Sequence, residues 1–146
     1  MISNHHAHTN FTALKPFLES VNAADGQHRR FLSSGYMPLS IERLEGCVDH
    51  EGCPIYAIAH YGEQNGDLMA DPDMEIAVDF EAQTVEPRTY QNDYMGIYQQ
   101  VYRHSDDGKL FCLPKLRSEL DSFLHTWLEN ITAEHFDPTV FEASDS

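Results

Sequence analysis

Met74, Ile76, Val78 and Phe80 alternate with Glu75, Ala77 and Asp79. A period of two puts the large apolar side chains on one face of a strand and the carboxylates on the other. A chain containing such a segment must pair it with other strands and cover its apolar face. The neighbouring sequence supplies the partners. After a turn at 81–83, residues 84–90 can form a return strand. Upstream, in 36–45, Met37, Leu39 and Ile41 alternate with Ser40 and Glu42, and Pro38 places that strand at an edge or at its own start. Gly46–Gly52 reads as a turn, and 54–61 as the strand that completes a hairpin. Residues 62–72 read as a loop from their Gly, Asn and Asp content. Residues 94–103, rich in Tyr and β-branched side chains, read as a further strand ending at the turn Asp106-Asp107-Gly108.

Turns this short join antiparallel strands, because parallel pairs need long crossovers. Two helical segments flank the strands. Over 114–131, Leu116, Leu120, Phe123, Leu124, Trp127, Leu128 and Ile131 make one apolar stripe, with Pro114 in the first turn. Over 11–24, Phe11, Leu14, Phe17, Leu18 and Val21 do the same, with Asn10 as the N-cap and Asp25-Gly26 as the stop. Pro16 lies inside this second stripe, so the helix is expected to kink there or to begin there. The expected architecture is α+β, a single domain over 11–136. In it an antiparallel sheet of about five strands packs against an N-terminal and a C-terminal helix. Residues 1–10, with His5, His6 and His8, and the acidic 137–146 are expected to be mobile tails.

Charge narrows the function classes. The 146 residues carry 24 acids against 9 Lys and Arg, a formal charge of −15. That field repels nucleic-acid backbones and anionic membranes and favours cationic partners. Between Arg43 and Arg88 there is no Lys or Arg, while Glu45, Asp49, Glu51, Glu63, Asp67, Asp71, Asp73, Glu75, Asp79, Glu81 and Glu86 fall in that stretch. A solubilising surface produces such a run, and so does a surface for a basic protein. No apolar run is long enough to span a bilayer. Met1–Asn10 has no basic or apolar region of the kind a secretory leader needs. With an odd number of cysteines (Cys47, Cys53 and Cys112), these features lead to an expected cytoplasmic location.

Four groups of residues have chemistry to offer. Cys47, His50 and Cys53 are zinc-type ligands, but their spacing fits no standard knuckle, and a hairpin turn accounts for them. Asn65, Asp67, Asp71, Asp73 and Glu75 are oxygen ligands suited to a hard cation. A calcium loop starting at Asp67 would need an oxygen ligand at Met69, so capped turns account for these residues too. Asp73 and Glu75 on one strand face are a candidate carboxylate pair for acid–base work, though alternation on a solvated face also produces such a pair. Tyr90-Gln91-Asn92-Asp93-Tyr94 can line a small-molecule pocket with His60 and Tyr61, or staple a turn. Phosphate-loop, dinucleotide and serine-nucleophile motifs are missing, so no cofactor is expected.

Four segments together resemble a known family. They are Ser34-Gly35-Tyr36-Met37-Pro38-Leu39 running into Ile41-Glu42-Arg43-Leu44; Ala59-His60-Tyr61 with Glu63-Gln64-Asn65-Gly66-Asp67-Leu68-Met69; Asp71-Pro72-Asp73-Met74-Glu75; and Tyr90-Gln91-Asn92-Asp93 with Gly96-Ile97-Tyr98-Gln99-Gln100-Val101-Tyr102. The set is similar to a family of small bacterial and mobile-element (plasmid and phage) proteins classed as a domain of unknown function. The resemblance covers roughly residues 30–132, including Leu116-Arg117-Ser118-Glu119-Leu120 and Trp127. It implies the setting of an accessory gene and no mechanism. Cys47 and Cys53 lie outside its segments.

The leading expectation is a non-enzymatic accessory protein that binds another protein through its acidic sheet. In a sharper form it mimics nucleic acid and blocks a host DNA-handling or defence protein. The rival expectation is a small-molecule-binding domain or hydrolase using His60, Tyr61, Asn65, Asp67, Tyr90, Asn92 and Asp93, in a polar pocket around His60, Asp67 and Asn92. A third is a plain structural subunit, marked by exposed apolar area and a symmetric dimer.

Overall fold

A computed structural model describes residues 5–143. The alternating segment is the middle of its longest strand. In chain order the elements are α1 (Ala7–Ala23), β1 (His28–Phe31), β2 (Leu39–Val48), β3 (Pro54–Gln64), β4 (Asp67–Asp79), β5 (Thr84–Pro87), β6 (Thr89–Asn92), β7 (Ile97–Gln100), β8 (Tyr102–His104), β9 (Leu110–Cys112) and α2 (Pro114–Ala133). The main sheet runs β1-β2-β3-β4-β6-β7, with β5 also on β4, and every pairing is antiparallel. β8 and β9 form a separate hairpin. The α+β class therefore stands: two helices flank an antiparallel sheet in one compact domain.

The sheet has seven strands where about five were expected. β5 and β6 are halves of one extended segment broken at Arg88, whose N–H bonds to the Glu75 carbonyl at 2.8 Å. The expected strand over 94–103 likewise divides into β7 and β8 around Val101. β1, His-Arg-Arg-Phe, has no apolar alternation to announce it.

The expected 62–72 loop is a correction. β3 and β4 continue through it and turn at Asn65-Gly66, both with positive φ (53° and 85°). Asn-Gly suits a two-residue turn of that hand, whose twist matches the flanking strands. Composition argued for a loop, while the dipeptide argued for a hairpin tip.

One face of the sheet is apolar. Ile41, Ile58, Met74 and Ile76 are fully buried there, and the helices close over them with Leu14, Leu18, Val21 and Leu124. α1 starts four residues before the expected position, so 7–10 are helical. Asn10 is a buried residue of the helix interior and no cap. The Asp121 carboxylate of α2 accepts the His6 N–H (3.0 Å) at the helix start, and the His6 ring stacks on His125. α1 also runs through Pro16, on its exposed side, where water can satisfy the carbonyl that proline leaves unbonded. Past α2, Phe141 bridges to Phe31, and the Leu32 and Glu142 N–H groups bond to the Val140 and Arg30 carbonyls. The expected tail is thus tied to β1 as far as Glu142. Residues 1–4 and 144–146 of the two expected tails lie outside the described residues.

Candidate functional site

Among the described residues no helix packs over the second face around Glu42, Asp73 and Glu75, although towards β5 Ile55 and Ala77 of that face are buried and Glu86 pairs with Arg117 of α2. Antiparallel register places Arg30, Ser40, Ala59, Asp73, Gln91 and Tyr98 in one row across six strands, and His28 of β1 in register with Glu42. The next row carries Glu42, Ala57 and Glu75. Small alanines on β3 separate Glu42 of β2 from the half-buried Asp73 and Glu75 of β4.

The acids of the base-free stretch do different jobs. Asp49 Oδ1 accepts the Glu51 and Cys53 N–H groups (2.9 and 2.8 Å), Asp79 accepts Ala82 N–H, and Asp71 accepts the Asn92 amide. Each fixes a turn or strand end. Glu86 accepts from Arg117 at 2.7 Å and from the Tyr102 hydroxyl at 2.9 Å. Arg88 lies over the Tyr102 ring, with Nη1 at 3.8 Å from Asp49 and 3.9 Å from Glu86. This clamp ties the β2–β3 hairpin, β5, β8 and α2 together and neutralises its acids locally.

Asp73 and Glu75 are left on the open face. Burial holds the Asp73 carboxyl above its ordinary range, and the Asp93 and Glu42 charges add to the shift; the Tyr61 hydroxyl, which donates at 2.7 Å, opposes it. Burial also raises Glu75, with the Asp73 charge adding and Arg88 opposing. Burial, the hydrogen bond to Asp73 and the surrounding carboxylates push the Tyr61 phenol up. These directions describe carboxylates held close together without enough positive charge. Asp93 differs: the Gln91 amide and the Ala70 N–H bind it, and its carboxyl sits below the usual range.

The structure brings Tyr61, Asp73 and Glu75 together, with Asp93 at their margin. It separates the others. His60 alternates to the inner face, where it bonds to the Pro38 carbonyl (3.0 Å) and lies against Trp127 and Phe136. Asn65 and Asp67 are exposed at the tip of the β3–β4 hairpin. Tyr90 packs edge-on against Phe123, towards α2. Asn92 is buried and accepts the Met95 N–H, stapling the β6–β7 turn. His60, Asp67 and Asn92 therefore do not converge on a common pocket. The cation-loop reading of 65–75 loses its loop. Cys47 is exposed, the His50 ring lies beside Tyr102, and Cys53 sits in the turn capped by Asp49. Among the described residues no three His, Cys, Asp or Glu side chains form a group that could hold a metal ion.

Periodicity along the chain does not reveal Glu42 as a member of the face, nor Arg88, Glu86, Arg117 and Tyr102 as the clamp. One signal was available: Arg88 is the first base after Arg43. A lone cation among acids has partners to find.

Residues 10–136 match a family whose description is "Domain of unknown function (DUF6908)". No curated protein and no solved structure matches the chain. The matched stretch contains α2, α1 from Asn10 onward and all nine strands of the described residues, and the chain belongs to this family.

Proposed function

We propose that this chain is a non-enzymatic binding protein that presents the open face of its sheet to a basic protein. The observation that carries the reading is the cluster of Glu42, Asp73 and Glu75 on the part of the face over which no helix packs among the described residues, with two of the carboxyls raised by burial and mutual repulsion. A partner's Lys or Arg set among them would relieve that repulsion and gain charge-assisted hydrogen bonds. Of the basic residues beside this face, Arg88 belongs to the clamp, Arg30 pairs with Glu142 at 2.7 Å, and His28, in register with Glu42, is hydrogen-bonded to Ser40 at 2.9 Å.

In the sharper form of this reading, the partner is a DNA-handling or defence protein and the carboxylates occupy its phosphate-binding surface. Carboxylates two residues apart on β4 are ~7 Å apart, and those two strands apart ~10 Å. Such an array meets a spread of basic side chains better than a single point charge. The chain's own excess of acids keeps it off nucleic acid and anionic membranes.

The test is affinity capture from a lysate of the source organism with the protein and with its E42Q/D73N/E75Q variant, at low and high salt. The expected result is a basic protein captured by the parent at low salt, released as salt rises, and lost by the variant. Capture that is indifferent to the three substitutions sinks the reading.

A further inference from the structure

The two edges of the sheet are built differently. β1 carries Arg29 and Arg30, and the segment around Phe141 closes its outer side. β7 ends the sheet on the other side, and among the described residues no strand pairs along its outer edge. From Met95 to Tyr102 the sequence is Met-Gly-Ile-Tyr-Gln-Gln-Val-Tyr, with no charge and no proline. Exposed edges are usually defended by charges, prolines or cover, and β7 relies on shortness alone.

Register identifies the free groups. The Val101 N–H bonds inward to the Arg88 carbonyl at 2.8 Å. Antiparallel alternation then turns Gln99 and Ile97 inward and leaves the N–H and C=O of Gln100 and Tyr98 pointing out of the sheet. The side chains of these two residues are exposed, and Tyr98 shares the open-face row with Gln91 and Asp73.

We infer that the outer edge of β7 accepts an extended, basic segment of the partner protein as an added strand. Backbone groups at Tyr98 and Gln100 supply the pairing, and alternate side chains of the guest stand on the same side of the sheet as the acidic row, ~14 Å (three strand spacings) from Asp73 on β4, so the carboxylates attract them across the face without bonding them directly. A second copy of this chain is the poorer occupant, because each copy brings a formal charge of −15 to the contact. The inference rests on the binding reading above and adds the mode of engagement.

The test uses two synthetic peptides of equal length and charge. One alternates lysine with valine; in the other, proline replaces valine and removes the strand donors. Amide hydrogen exchange of the intact protein is followed by NMR. The expected result is that the lysine–valine peptide slows exchange at Tyr98 and Gln100 by about tenfold or more, and the proline peptide does not. A Gln100→Pro variant, whose lost N–H points outward, should weaken the first peptide and leave the second unaffected. If the first peptide shifts the resonances of Asp73 and Glu75 while exchange at Tyr98 and Gln100 is unchanged, the edge inference falls and the acidic-face reading survives. If neither peptide binds, both fall. Concentration-dependent protection of the same two amides in the free protein would assign the edge to a second copy and overturn the inference.

Discussion

The two faces of β4 share one backbone and have opposite physics. On the inner face Met74, Ile76 and Val78 are fully buried beneath the helices. On the outer face Asp73 and Glu75 are half-buried beside their neighbours and short of counter-charge. The inner face is optimised for the free protein, because every contact it can make is made within the chain. The outer face is not, because its carboxyls sit above their ordinary range and their repulsion goes unrelieved. A surface that costs the free molecule stability is a natural place to look for function, since stability alone would not favour it.

Removing apolar volume from the inner face should have the largest effect. Ile76→Ala deletes fully buried methyl and methylene groups, and an expected loss of about 3 kcal/mol would be read as a lower urea midpoint at unchanged slope. If the cost were under about 1 kcal/mol, the two faces would differ less than their burial implies. The closed edge comes next. Phe141→Ala strips a half-buried ring from Phe31 and from the Arg29 guanidinium 3.8 Å above it, with an expected cost of about 1–2 kcal/mol.

The outer face should respond in the opposite direction. Because the folded-state carboxyls of Asp73 and Glu75 are raised, the folded protein holds their protons to higher pH than the unfolded chain does. Their contribution is fully present below the unfolded values near ~4 and is lost as pH rises through the folded ones. D73N/E75Q should therefore melt above the parent at neutral pH, with the gap closing as the solution is acidified. A variant that melts lower at neutral pH would contradict the account of an uncompensated face. Tyr61→Phe should have the smallest effect, under about 1 kcal/mol. It removes a donor that lowers the Asp73 carboxyl, so NMR titration should find that group higher still.

Period-two and helical spacing located β4 and α2 because burial imposes those periods on any chain that forms them. The same spacing placed Asp73 and Glu75 together on the face opposite Met74 and Ile76. It could not join Glu42 to them, since that contact depends on β2 and β4 pairing to either side of the same alanine of β3. Neither could it separate His60 from Tyr61 in function, although alternation sends them to opposite faces once β3 is seen to run through both.

Alone, the sequence determined the class of fold, the helices, the turn chemistry and the excess of acid. Those follow from local periodicity and composition. The tertiary structure decided which acids are occupied with turns and the Arg88 clamp, which remain on the open face, and which edge of the sheet stays unpaired. These are outcomes of register and of which face the helices cover, and both are set by contacts between residues far apart in the chain.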